Sequence, residues 1–437
     1  MVTGVMKMEV PRKGKMDFGE AGILLFTGAT DFEFVGRKAA NLSKSEDTVW
    51  EPMRLAALAH IPVRFVSSSP CSAHMFAITD EGKVYGWGRN EKGQLGIGDK
   101  KDRRCPTHLT GLDEFNIVMV ATGKNHSLFL TDDGKIYACG ENKSGQCGTS
   151  GAQQITEPKM IVYDGPPAKK VASGADFSVL LDVNGNLWTW GHPEHGQLGN
   201  NTDGSYLETA GKVSFNYISA PTKITTYIEK DPKSKKISPV IGVHIKDVSC
   251  GNNHSVAIDE RNRAFSWGFG GYGRLGHSET GNELAPRLIK FLDGPRRGVS
   301  NVTCGGQFNL ASSEIAGTTY MWGQYHTSKE ANMYPKNIPD LSGWNVRSIA
   351  CNGKGWMIAA DNSVIGVGPS PCFGEMGLGE RKKSSAFPVE IKTLDSLYVI
   401  KTGMGISHSL FIVRNNSEDS KKAIEEFDIL DQSDMDN

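Results

Sequence analysis

The chain has 437 residues, with 48 lysines and arginines against 49 aspartates and glutamates, so its net charge at neutral pH is −1. Charge so balanced supplies no global field for steering onto nucleic acid or an anionic membrane. With 51 glycines, 8 tryptophans and only 22% charged residues, the composition excludes a disordered chain and fits a turn-dense β protein anchored by aromatic residues.

Residues 1–19 read as a short tail in which Lys7, Arg12, Lys13 and Lys15 form a basic cluster too sparse for a nuclear signal or a DNA-binding arm. The first apolar run, Ala21 to Phe26, is far shorter than a membrane span and lacks the cleavage-site context of a signal peptide. The expectation is a soluble, intracellular protein without membrane insertion.

From residue 20 onward three markers recur in fixed cyclic order. The first is a Gly-like position followed three residues later by His or an aromatic: Cys71/His74, Gly123/His126, Gly174/Phe177, Gly251/His254, Gly305/Phe308, Asn352/Gly355 and Gly405/His408. The second is a Trp-Gly decapeptide, WGRNEKGQLG (87–96), CGENKSGQCG (139–148), WGHPEHGQLG (190–199) and WGFGGYGRLG (267–276), blurred at 322 and at 367–377. The third is Pro-x-x-Leu/Ile, from Pro52/Leu55 through Pro106, Pro158, Pro221, Pro286 and Pro335 to Pro388/Ile391.

A fixed repeat of about fifty residues marks an array of identical supersecondary units. The first and third markers each occur seven times, and the missing front copy of the second is FTGATDFEFVG (26–36). The chain therefore begins in the middle of a unit and ends, at Gly405 to Ile412, with that unit's first half. A ring that closes on itself needs such a split.

MFAITDEGKVYGW (75–87), LFLTDDGKIYAC (128–139) and VLLDVNGNLWTW (179–190) each read as strand, Gly-containing turn, strand. Pro-x-x-Ile is expected to start a further strand, at a strand start or sheet edge, where the missing N–H of proline is tolerated. The predicted fold is all-β, a seven-bladed β-propeller over residues 20–414 closed by N- and C-terminal segments sharing one blade. The decapeptide tryptophan is expected to pack between neighbouring blades. Histidines repeated in register are expected to make structural hydrogen bonds.

The intervals between markers locate insertions. From decapeptide glycine to proline the step is 18 at 88–106, 140–158 and 268–286, but 30 at 191–221. From proline to the next Gly marker it is 16 to 19 in comparable units, but again 30 at 221–251. One unit thus has two insertions, near 200–220 and 228–240. The second carries Glu229, Lys230, Asp231, Lys233, Lys235, Lys236 and Ile237 in a basic, turn-rich excursion, and these residues are the candidate partner-binding loop. The unit WGQYHTSKEANMYP (322–335) is shortened. Residues 415–437 carry an excess of acidic side chains and read as a solvated tail.

No chemical motif stands apart from the repeat. Gly268 to Gly273 matches GxGxxG but is one more decapeptide, not a loop leading into a helix that could hold a pyrophosphate. No cysteine pair has CxxC spacing. Cys250, Cys304 and Cys351 share one repeat position and read as buried strand residues. No catalytic residues, cofactor or metal site are expected.

The three markers together resemble the regulator of chromosome condensation repeat family, over about residues 20–414. The resemblance implies a seven-bladed propeller that acts as a scaffold and guanine-nucleotide-exchange-type partner of small Ras-superfamily GTPases, of Rac, Ral or Arf type. It also implies association with mitotic chromosomes, the central spindle and adhesion signalling, in nucleus and cytoplasm. Two readings stay open: a GTPase-binding regulator with exchange activity, and a non-catalytic scaffold for chromosomal, microtubule or other cytoskeletal partners.

Overall fold

The fold is that of a computed structural model, which describes residues 19–32, 35, 48–313, 317–326, 330–368, 373–379, 384–395 and 397–431. The basic residues of the N-terminal tail and Gly36 of the front decapeptide lie outside the described residues.

Seven sheets form the blades, and in blades 2 to 7 the four core strands are antiparallel and follow the sequence from the inside of the ring outward. Blade 2 shows the plan with strands Val63–Ser67, His74–Thr79, Val84–Gly88 and Arg103–His108. Blades 3 to 7 repeat it, with inner strands Ile117–Thr122, Ala168–Ser173, Ile245–Cys250, Asn301–Cys304 and Val346–Cys351. Blade 1 is built from both ends of the propeller. Val399–Met404 and His408–Val413 are its inner half, and Ile23–Ala29 and Thr48–Leu55 its outer half. The seam is the antiparallel register Ile23↔Val413 through Gly28↔His408. Leu24, Leu25, Phe26, Leu410, Phe411 and Ile412 are all essentially inaccessible there.

The repeat markers have physical roles. In the Trp-Gly pair the glycine adopts a left-handed φ; at Gly191 φ is 113°, and a Cβ would lie 2.6 Å from Phe177 Cα on the adjacent strand. The tryptophan indole donates across the blade boundary. Trp190 Nε1 bonds Gln146 O (2.9 Å), Trp267 Nε1 bonds Gln197 O (2.9 Å) and Trp322 Nε1 bonds Arg274 O (3.0 Å). Each acceptor belongs to the decapeptide of the preceding blade, so the motif is both a turn and a mortise for its neighbour.

The proline marker does not start the outer strand. Pro106 sits inside Arg103–His108, between the pairs Gly88↔Arg103 and Gly86↔Thr107, where the register shifts. Pro158, Pro221, Pro286, Pro335, Pro388 and Pro52 occupy the same kind of break. A bulge in an edge strand leaves a backbone N–H out of the ladder, which is the position a proline fills without loss.

The C-terminal segment is largely exposed, as its composition implies, but it is folded and docked over residues 417–430. Glu418–Glu425 is a helix with Ser417 at its N-cap, and Ile429–Leu430 pairs in parallel with the outer strand of blade 1. Arg54, 8% exposed, donates from Nε to Phe427 O (3.0 Å) and from Nη2 to Glu425 O (3.1 Å). Ile424 is buried beneath the helix. Ala423, Phe427 and Leu430 pack against the same core beside Ile424, apolar anchors that the acidic composition of the segment masks. Residues 432–437 lie outside the described residues.

Candidate partner-binding site

Both insertions leave blade 4, and both fold as two-stranded hairpins. The first joins the third and fourth strands of the blade. Its strands Ser205–Leu207 and Val213–Phe215 pair directly, and Phe215 packs on His192 with ring centroids 5.7 Å apart. Tyr206, Leu207, Val213 and Tyr217 are exposed, Leu207 at 75%. The interval arithmetic located this insertion, yet its apolar surface was not singled out. The signal was present in the sequence as a run of large hydrophobic residues, Tyr206, Leu207, Val213, Phe215 and Tyr217, within a turn-rich excursion.

The second insertion connects blade 4 to blade 5. Ile224 and Tyr227 are buried at its base, with the Tyr227 ring edge-on to Phe265 at 5.4 Å. Strands Ile228–Lys230 and Ile237–Pro239 then pair, and Ile228 bridges in parallel to Arg287 on the outer strand of blade 5. The insertion is thus a fifth and sixth strand of that sheet. The turn is organised by Asp231, whose Oδ1 accepts from the backbone N–H of Lys233 (3.0 Å) and of Ser234 (2.6 Å). Those bonds, led by the Ser234 N–H, hold the carboxyl below its ordinary range. Lys235 takes the left-handed conformation, φ 58°, that closes the turn.

The seven candidate residues come together on this hairpin, but their charges are not equivalent. Lys230 and Lys235 both reach Glu279, at 3.2 and 3.5 Å. Glu279 is also bonded by Arg287, which is the leading reason its pKa is held down to about 2. Glu229 pairs with Lys290 at 3.4 Å. No ion pair engages Lys233 or Lys236 among the described residues, and Ile237 is 59% exposed beside them. The face free to meet a partner is therefore Lys233, Lys236 and Ile237. The other four residues anchor and shape it.

The histidines of the first marker are sealed. His74, His126, His254 and His408 are inaccessible, and burial pulls the pKa of each down to about 3. Their Nε2 atoms bond Ser127 Oγ (2.8 Å), Ser178 Oγ (2.9 Å), Asn309 Oδ1 (2.8 Å) and Ser68 Oγ (2.7 Å) of the following blade. Such groups hold the ring together and, being buried, are not themselves available for proton transfer. Burial likewise pushes the Cys250 thiol up to about 12 and those of Cys304 and Cys351 well above the ordinary value, away from nucleophilic thiolate. No cluster of three or more metal-ligating side chains occurs among the described residues.

A seven-bladed ring with this internal motif defines a protein class, and the chain belongs to the RCC1-like domain family, which it matches over residues 23–411. It is 44% identical to the RCC2 homolog of Danio rerio over 426 residues, covering 96% of this chain and 84% of that protein. To RCC2 of Homo sapiens it is 45% identical over 410 residues, covering 92% and 78%. Among solved structures it is similar to yeast RCC1 (Prp20) bound to Kap60, with a TM-score of 0.70 at 18% identity over 98% of this chain and 99% of that one. A further structure of Prp20p from Saccharomyces cerevisiae, described with its binding to Gsp1p and histones, gives a TM-score of 0.68 at 19% identity, covering 93% and 95%.

Proposed function

We propose that the protein is a regulator of cell division that binds a small Ras-superfamily GTPase, of Rac, Ral or Arf type, and accelerates its guanine-nucleotide exchange. The observation that carries this reading is the hairpin on blade 5, a basic and apolar tip that the sevenfold plan does not require. The likeness to RCC2 proteins over most of the chain supports it, and so does the binding of Prp20p to Gsp1p. Exchange of this kind needs no acid–base chemistry. A protein that binds the nucleotide-free GTPase better than the loaded form shifts the equilibrium by that difference in affinity. Rim lysines act chiefly on the rate of encounter with an acidic surface.

The test is stopped-flow release of labelled GDP across a panel of Ras-superfamily GTPases. Acceleration for at least one member is the expected result. Binding without acceleration for any member removes exchange and leaves the second reading, an interaction scaffold for chromosomal or cytoskeletal partners. The exposed Tyr206, Leu207, Val213 and Tyr217 on the other hairpin favour that reading. Either role places the protein in nucleus and cytoplasm, and on chromosomes and the central spindle in mitosis.

A further inference from the structure

The axis of the ring holds chemistry that neither hairpin uses. The inner strands enclose a cavity of about 240 Å³, smaller than the roughly 300–1,000 Å³ of sites for drug-sized ligands, and so suited to a small ion. Six inner strands carry a register shift, and the residue directly after it is Phe65, Met119, Lys170, Asp247, Ser348 or Lys401. One level of the axis thus receives two ammonium groups and a single carboxylate.

Asp247 is bonded to Lys170, so although its charge also acts on Lys401, one positive charge is left over at Lys401. Its ammonium has no hydrogen-bond or ion-pair partner among the described residues and lies 3.9 Å from the centroid of the Phe65 ring. Burial, with the neighbouring charge of Lys170 adding to it, draws its pKa down to about 8. A cation so placed lacks the solvation it would have in water, and an anion restores it. A second polar group in the same cavity is also unmatched. Ser173 is 5% exposed, lines the cavity and has a buried hydroxyl without a partner. The axial edges of the inner strands pair with no other strand of their sheets.

One end of the cavity opens into a wider mouth of about 360 Å³ that shares Phe65, Met119 and Lys401. Arg64, Lys169 and Arg347 line this mouth against one carboxylate, Glu20, which Arg414 already holds at 2.6 Å. Asp80 and Asp132 act on Arg64, and Asp361 on Arg347, from the rim. The cations of the entrance are thus matched by carboxylates, whereas the interior is lined by hydroxyl groups, Ser173, Thr303 and Thr402 among them.

We infer that the axial channel is a binding site for a small phosphate-class oxyanion, with the Lys401 ammonium as its counter-charge and the Ser173 hydroxyl among its donors. Several convergent donors suit a ligand with several acceptor oxygens better than a spherical halide.

The test is isothermal titration calorimetry of the full chain with inorganic phosphate and, separately, with glycerol phosphate, in chloride buffers of fixed ionic strength. Saturable one-site binding of inorganic phosphate is expected, at least tenfold weaker in Lys401→Met, retained in Lys401→Arg and severalfold weaker in Ser173→Ala. Binding of the free ion alone identifies an interior site closed to esters; binding of both identifies the phosphoryl group as the determinant, its organic part lying in the mouth. No saturable heat with either probe overturns the inference, as does unchanged affinity in Lys401→Met. Should that variant fail to fold, unchanged affinity in Ser173→Ala overturns it instead.

Discussion

His408 Nε2 lies 2.7 Å from Ser68 Oγ, a bond that spans 340 residues of chain and joins blade 1 to blade 2. It is one of four such bonds that make up a partial belt, Phe177, Phe308 and Gly355 holding the equivalent position in the other three blades. In blades 3 and 4 the group that meets the preceding blade's histidine is the second residue of the second strand, Ser127 or Ser178, which passes its own proton to Gln94 O or Gln146 O at 2.8 Å. Because those hydroxyls donate to carbonyls, they accept from Nε2–H. In blade 2 the corresponding residue is Met75, which cannot accept in this way, so the seam recruits Ser68 from the preceding loop.

Replacing His408 by Ala is expected to cost about 3 kcal/mol of stability, as the sum of a buried cavity and a lost inter-blade bond. Ser68→Ala removes the hydroxyl partner of Nε2 and should cost about 1–3 kcal/mol, because a buried imidazole nitrogen is left without a hydrogen bond. Urea denaturation of both variants measures this; equal and negligible losses would sink the belt as a source of stability.

Stability should fall steeply in mild acid. The folded-state pKa of His74, His126, His254, His277 and His408 is lowered to about 3 by burial, whereas the unfolded chain protonates near 6.5. Between those values the unfolded state binds more protons, so the contribution is fully present above about pH 6.5 and is lost as pH falls towards 3. Thermal melts from pH 8 to pH 4 should show the loss beginning below pH 6.5, with several protons taken up per molecule unfolded at pH 5. A flat profile across that window would contradict the neutral, buried histidines.

Deleting residues 1–37 removes the strand Ile23–Ala29, and with it the six-pair register that closes blade 1. Loss of cooperative melting and exposure of the Leu410–Ile412 face to hydrophobic dye are expected. A truncated chain that melts like the intact one would mean that the ring does not depend on its seam.

Removal of residues 417–437 is predicted to lower the melting temperature, although composition marks the segment as dispensable. The outer strand of blade 1 would lose its pairing with Ile429–Leu430, Arg54 its two carbonyl acceptors, and the core its contact with Ile424 and Phe427, at a cost of about 1–3 kcal/mol. Thermal melts of the full and truncated chains are the measurement, and equal melting temperatures would show that the docked tail contributes nothing.

Alanine at Lys233 and Lys236 should slow GTPase association several-fold at low salt and much less at high salt, leaving the melting temperature unchanged. Alanine at Lys230 and Lys235 should act differently, through the hairpin's attachment to Glu279. Association rates by biolayer interferometry at two ionic strengths separate the pairs. Identical effects of the two double substitutions would refute the division of the hairpin into anchor and contact face.

The sequence by itself determined the number of blades, their closure by the two chain halves and the place of both insertions, because each of these follows from a local pattern repeated at fixed intervals. A Trp-Gly turn must bring its left-handed glycine wherever it occurs, and a lengthened interval must be accommodated outside the common plan. Where pattern gave way to pairing, only the tertiary structure decided. Lys230 meets Glu279 from 49 residues away, and nothing in the local composition of YIEKDPKSKK separates it from Lys233. Lys170, Asp247 and Lys401 each stand seven residues before their Phe or His marker, but their shared register acquires meaning only when the ring brings them to one axis. The tail docks in part because Arg54 finds backbone carbonyls, which every residue possesses and no side-chain pattern announces. Long-range electrostatic pairing and the matching of buried polar groups depend on distances that the fold alone sets.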